Sequence, residues 1–176
     1  REGTNAPTWA LISWWQRPSV WNYIPNGDFE TDADGWSVAA VSGVLANAGT
    51  SIARDTTAAR NKYGGANGQL VCPATANSGV TFKINRRFYQ GRSYLLCVWR
   101  TSAAGTTQSR CRLGVSGDIA SSPATPPLST TPKLFGALWT PTVDRDSANA
   151  VFEITAATGT TLNIDGAFVS DGSPTP

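Results

Sequence analysis

The stretch Asn26-Gly27-Asp28-Phe29-Glu30-Thr31-Asp32-Ala33-Asp34-Gly35-Trp36, NGDFETDADGW, gathers four acids, two glycines and two aromatics in a chain where only 15% of residues are charged. Three chemistries compete for it. A general acid and base need two carboxylates on rigid elements about 5–10 Å apart across one cleft, one of them desolvated. Acids at i, i+2, i+4 and i+6 in a Gly-bounded turn are exposed and repel one another instead. A hard cation needs several carboxylate and carbonyl oxygens, which alternating acids beside a glycine supply locally, although not at EF-hand offsets. A solvated turn at the entry of a β domain needs nothing more. Spacing alone leaves the cation loop and the plain turn both open.

The remaining chain decides what the turn opens. With 176 residues, one domain can bury about two-thirds of its unfolded surface and needs no staples. Thr, Ser, Gly, Ala and Val dominate while Glu, Lys and Leu are sparse, the usage of short strands joined by small-residue turns. From Trp36 onward, alternating runs bounded by Gly, Asn, Ser or Pro recur: Trp36 to Val41, Ser51 to Asp55, Gln69 to Pro73, Gly79 to Asn85, Ser93 to Ser102, Gln108 to Val115, Lys133 to Thr140, Ala150 to Ala156 and Thr161 to Val169. Nine such runs predict an all-β sandwich or barrel of about eight or nine antiparallel strands. In Ser93 to Ser102, Tyr94, Leu96, Val98 and Arg100 share one face, and Leu95, Cys97 and Trp99 the other. After an AAGTT turn, Arg110, Arg112 and Gly114 alternate with Cys111, Leu113 and Val115, so the two runs read as a hairpin. Gly117 to Pro132, with four prolines, reads as a long surface loop.

Several function classes fall away. The sequence has no His, which removes the commonest general base and transition-metal ligand. No G-x-S-x-G, Walker A or G-x-G-x-x-G pattern follows a strand. A net charge of +2 and a pI near 8.6 do not make the dense basic face of a nucleic-acid binder. No apolar run approaches the roughly 20 residues of a membrane span, so no membrane insertion is expected. With no Met at any position, the chain reads as a processed product or an excerpt of a longer polypeptide. Of the three cysteines, Cys97 and Cys111 flank the expected hairpin; either they approach across it, or they and Cys72 are small buried hydrophobes that stay reduced.

Residues 1–24, REGTNAPTWALISWWQRPSVWNYI, hold four of the seven tryptophans: Trp9, Trp14, Trp15 and Trp21. Such aromatic density on a short, proline-interrupted segment must pack on the domain behind it or on a neighbouring chain. The expected division is an assembly arm over 1–24 and a β-sandwich over 25–176. The alternative is an N-terminal strand completing the domain's own core.

The NGDFE…GW opening, the central YLLCVWRTSA and the closing TTLNIDGAFVSDG resemble the jelly-roll carbohydrate-binding modules of the family 4/9/22 type, over about residues 25–170. The opening also resembles jelly rolls of bacteriophage tail and fibre proteins, as does ARDTTAARNKYGGANGQLVCP. The resemblance implies a structural Ca2+ joining Glu30 to Asp165, with Asp28 or the carbonyl of Gly27 as supplements; Gly166 stands where many members carry a second acid. It implies sugar recognition by aromatic platforms and polar groups, for which Trp99, Tyr63, Arg110 and Arg112 are the candidates, with a core role for Trp99 and a solvated face for the arginines as the competing readings. The functional expectation is a non-catalytic structural or adhesive domain at a virion surface or otherwise extracellular. Its expected partners are neighbouring virion proteins or copies of itself, and cell-surface polysaccharide. The alternative is the carbohydrate-binding module of a secreted glycoside hydrolase.

Overall fold

Apolar residues at every second position give each strand one face to bury, and two sheets meet over those faces. The computed structural model describes residues 22–73, 78–102, 108–123, 130–156 and 160–171. Its strands are β1 (Trp36–Ser37), β2 (Asn47–Ala48), β3 (Ser51–Asp55), β4 (Asn67–Val71), β5 (Ser78–Ile84), β6 (Tyr94–Thr101), β7 (Gln108–Val115), β8 (Asp118–Ser121), β9 (Lys133–Trp139), β10 (Ala148–Ala156) and β11 (Thr161–Asp171). One sheet runs β1-β5-β10-β7-β8 with β2 beside β5; the other runs β3-β4-β11-β6-β9. Every pairing is antiparallel except β2 with β5. The expected all-β jelly-roll sandwich is the architecture of the protein. Among the described residues the only helical element is a 3-10 turn over Ala58–Arg60.

Val80, Phe82, Leu113 and Phe152 from the first sheet meet Leu70, Leu96, Val98 and Ile164 from the second, all buried. The opening turn feeds this core. Phe29 takes φ +56, a left-handed conformation unusual for a bulky residue, and its ring stacks on Trp36 at 5.1 Å. Trp36 also packs on Phe82 and Phe152, each at 5.2 Å, and its indole N–H donates to the Asn26 carbonyl at 3.0 Å. Phe29 and Trp36 together anchor the opening turn in the core.

Four expectations change. β6 pairs with β11 and β9, whereas β7 pairs with β10 and β8, so these consecutive runs lie in different sheets and are not a hairpin; alternation fixes which face turns inward but not which strand lies alongside. Cys97 therefore faces outward from one sheet while Cys111 is buried under the other, and all three cysteines are free thiols. Asp118–Ser121 is a strand within the expected loop: Ser116 and Gly117 form a two-residue turn that pairs Val115 with Asp118, Gly117 supplying φ +79. Finally, residues 22–24 belong to the domain, because the Tyr23 N–H donates to the Val169 carbonyl at 2.8 Å and Ile24 is fully buried. Residues 1–21, with Trp9, Trp14, Trp15 and Trp21, lie outside the described residues.

Candidate functional site

The outward face of the second sheet carries an aromatic pair beside two carboxylates. β11 bulges between Asp165 and Phe168, and Gly166 within the bulge has φ +56. The ring of Tyr63 lies against that glycine: a Cβ at 166 would stand 3.1 Å from two Tyr63 ring carbons and 3.5 Å from Trp99 Cδ1. Tyr63 and Trp99 meet edge to face at 6.2 Å and 79°. The Lys62 ammonium sits 4.4 Å from the Trp99 ring centroid, a cation–π distance. Trp99 is half-buried, with Tyr94, Leu96 and Val98 of the same strand pointing inward. It is thus a surface aromatic, not a core residue.

The loop that brings Lys62 and Tyr63 here is clasped by two acids. Asp165 Oδ2 accepts the backbone N–H groups of Lys62 at 2.6 Å and Tyr63 at 2.8 Å. The Glu30 carboxylate accepts those of Gly65 at 2.9 and 3.1 Å and Ala66 at 3.1 Å. Gly64 allows the closure: it has φ +56, and any Cβ there would collide with Glu30 Oε1. Asp165 is 2% exposed, and its Oδ1 has no hydrogen-bond partner among the described residues. Burial pushes the Asp165 carboxyl up to about 6; the N–H donors of Tyr63 and Lys62 pull against this, and the negative charge of Glu30 adds to it.

The other expected oxygens are engaged elsewhere. The Gly27 carbonyl accepts the Ala167 N–H at 2.8 Å, and Asp28 Oδ1 faces the Glu30 N–H at 3.4 Å. Glu30 itself is exposed; its carboxylate serves the 64–66 loop. Among the described residues no three His, Cys, Asp or Glu side chains converge as a metal group.

Arg110 and Arg112 lie on the opposite sheet from Trp99 and Tyr63, so the four residues do not form one site. The arginines flank Glu153, which is 1% exposed: Arg110 Nη2 is 2.9 Å from Glu153 Oε1 and Arg112 Nε 3.2 Å from Oε2. Arg112 also donates to the Val44 carbonyl, tying down a loop whose Val44 and Leu45 pack on Val151. This cluster fastens a loop to the sheet. Sequence reasoning missed Glu153, whose signal is a lone acid inside the apolar run Ala-Val-Phe-Glu-Ile, and Lys62, which has no signal beyond its place before Tyr63.

No protein-family model matches this chain, and no curated protein matches it. Solved structures do match. A family 16 carbohydrate-binding module shares 16% identity at a TM-score of 0.59, covering 85% of this chain and 100% of that one. The CBM22-1 xylan-binding domain of Paenibacillus barcinonensis Xyn10C shares 12% identity at 0.60, covering 88% and 94%. The enzymatically active domain of bacteriophage CBA120 tailspike protein 4 shares 15% identity at 0.59, covering 85% of this chain but 21% of that one. The fold of this protein is that of jelly-roll carbohydrate-binding modules.

Proposed function

We propose that this domain is a non-catalytic module that contacts glycan from the surface of a bacteriophage virion, as part of a tail or other surface protein. The observation that carries the glycan reading is the Trp99–Tyr63 pair, half-exposed on a sheet face and edged by Lys62, the combination of ring and hydrogen-bonding groups that a pyranose needs. The likeness to a segment of a phage tailspike supports the virion part. Absence of His from the sequence, with Glu30, Asp165 and Glu153 all engaged in hydrogen bonds or ion pairs, supports binding without catalysis. A second reading, the carbohydrate-binding module of a secreted glycoside hydrolase, is favoured by the likeness to a xylan-binding domain.

The same proposal assigns a structural calcium ion to Glu30 and Asp165. An unpartnered, buried Asp165 Oδ1 beside a second carboxylate fits a hard dication, which would supply the missing ligand and offset the paired charge.

Retention on insoluble polysaccharides tests the glycan reading. Binding that disappears in Trp99→Ala and Tyr63→Ala, with far-UV spectra unchanged, is the expected result; retention unaffected by both variants would remove the platform. If a chelator leaves the melting temperature unchanged, Glu30 and Asp165 hold no metal.

A further inference from the structure

We propose that the Arg86–Arg92 loop, at the Tyr94 end of β6, is a second saccharide-contact site that takes a neutral, hydroxyl-rich sugar. Neighbouring side chains of this loop go opposite ways: Phe88 is fully buried against Tyr94 at 4.8 Å and Trp139 at 5.3 Å, while Tyr89 faces solvent at 47% exposure. The backbone holds that ring out firmly. Phe88 and Arg145 exchange backbone hydrogen bonds of 2.6 and 2.8 Å, and the Gly91 N–H donates to the Pro141 carbonyl at 3.0 Å. The Tyr89 N–H donates to the Tyr94 hydroxyl at 2.9 Å and the Gln90 N–H to Asp144 Oδ1 at 2.8 Å. An aromatic ring displayed on a loop pinned at this many points is preorganised to be covered.

The rim defines the ligand. The guanidinium carbons of Arg87 and Arg92 lie 5.7 and 5.3 Å from the Tyr89 ring centroid, and each arginine is paired with an acid, Asp144 at 2.9 Å and Asp171 at 3.6 Å. The third arginine, Arg86, lies over the Tyr23 ring at 3.9 Å. Paired charges leave little net field to attract an ion, but they place planar donors and carboxylate acceptors side by side around a ring. That arrangement matches vicinal hydroxyls above the apolar face of a pyranose. Tyr94, which receives the Tyr89 N–H, and Trp99 are five positions apart on β6, so the loop and the Trp99–Tyr63 pair lie toward opposite ends of that strand.

This inference rests on the glycan-contacting reading but on different residues, and one experiment separates the two. The intact chain, Tyr89→Ala, Tyr89→Phe and Trp99→Ala are compared by affinity electrophoresis through gels carrying xylan, β-1,4-galactan or polygalacturonate, at low and high salt. The expected result is retardation by a neutral polymer that is insensitive to salt, falls on the order of tenfold in Tyr89→Ala and survives in Tyr89→Phe. Retardation kept in Tyr89→Ala but lost in Trp99→Ala overturns the loop site and leaves the glycan reading standing. Retardation confined to polygalacturonate and abolished by salt overturns the neutral-ligand assignment, and no retardation of the intact chain by any polymer overturns both.

Discussion

The ring of Tyr63 rests on Gly166, so closely that a Cβ at 166 would lie 3.1 Å from two of its carbons. The glycine makes room for an aromatic and takes the left-handed φ of +56 that the β11 bulge demands. Gly166→Ala adds both strain and a contact too tight for the ring. It is expected to destabilise the domain by about 1–2 kcal/mol, read as a lower denaturation midpoint at unchanged slope, and to shift Tyr63 away from Trp99. An unaltered midpoint would mean that the bulge relaxes freely.

Two buried acids respond to pH in opposite directions. Burial raises the Asp165 pKa to about 6, above its unfolded value of about 3.9, so without metal its favourable contribution is complete below about pH 4 and is lost as pH rises through 6, a cost of about 3 kcal/mol at neutral pH. Asp165→Asn keeps an oxygen for the Lys62 and Tyr63 N–H groups and removes the charge. In chelator it should melt above the parent at pH 7 and level with it near pH 4, and it should lose any response to calcium. For Asp118, burial pushes upward, but hydrogen bonds from the Thr142 backbone, Trp139, the Thr142 hydroxyl and Arg145 outweigh it and leave the pKa lowered. Its stabilisation is present above the unfolded value and lost as pH falls through the folded one, so Asp118→Asn should flatten the acid limb of the melting curve.

Glu153 sits between two guanidinium groups with 1% exposure. Removing it in Glu153→Ala leaves Arg112, itself buried to 18% side-chain exposure, without its counter-charge; breaking such a pair typically costs about 3–5 kcal/mol. Arg110→Ala, at the more exposed end of the cluster, should cost less. Denaturation midpoints for the two variants would test the order, and a larger loss for Arg110→Ala would contradict it.

The sequence revealed faces better than neighbours. Alternation along Tyr94 to Thr101 identifies the inward set Tyr94, Leu96 and Val98 and the outward set containing Trp99, because that pattern is local to the strand. It does not reveal that β7 belongs to the other sheet, so from sequence Trp99 and the two arginines read as neighbours although they are a sandwich apart. β8 was hidden because its residues are small and its neighbours rich in proline. Glu30 and Asp165 are legible only through a family likeness, while the loop they clasp, residues 62–66, depends on contacts more than thirty positions away in sequence and leaves no periodic trace.

The opening turn is held by Asn26 together with Asp32, whose Oδ1 also accepts the Asp34 N–H at 2.9 Å. The Asn26 side-chain amide donates to Asp32 Oδ1 at 2.8 Å and to the carbonyls of Asp32 and Asp34 at 3.2 Å each, while the Asn26 carbonyl receives the Trp36 indole N–H. This ties the turn's start to its end and aims Trp36 at Phe82 and Phe152. Trp36→Ala empties the centre of that cluster and should cost about 3–5 kcal/mol. Asn26→Ala keeps the carbonyl but loses the amide bonds, for about 1–2 kcal/mol. Asp34→Ala, whose exposed side chain takes no part in these bonds, should fall within about 0.5 kcal/mol of the parent. Urea midpoints of the three variants should follow that order; if Asp34→Ala proved as costly as Asn26→Ala, the Asp34 side chain would have to share in organising the turn.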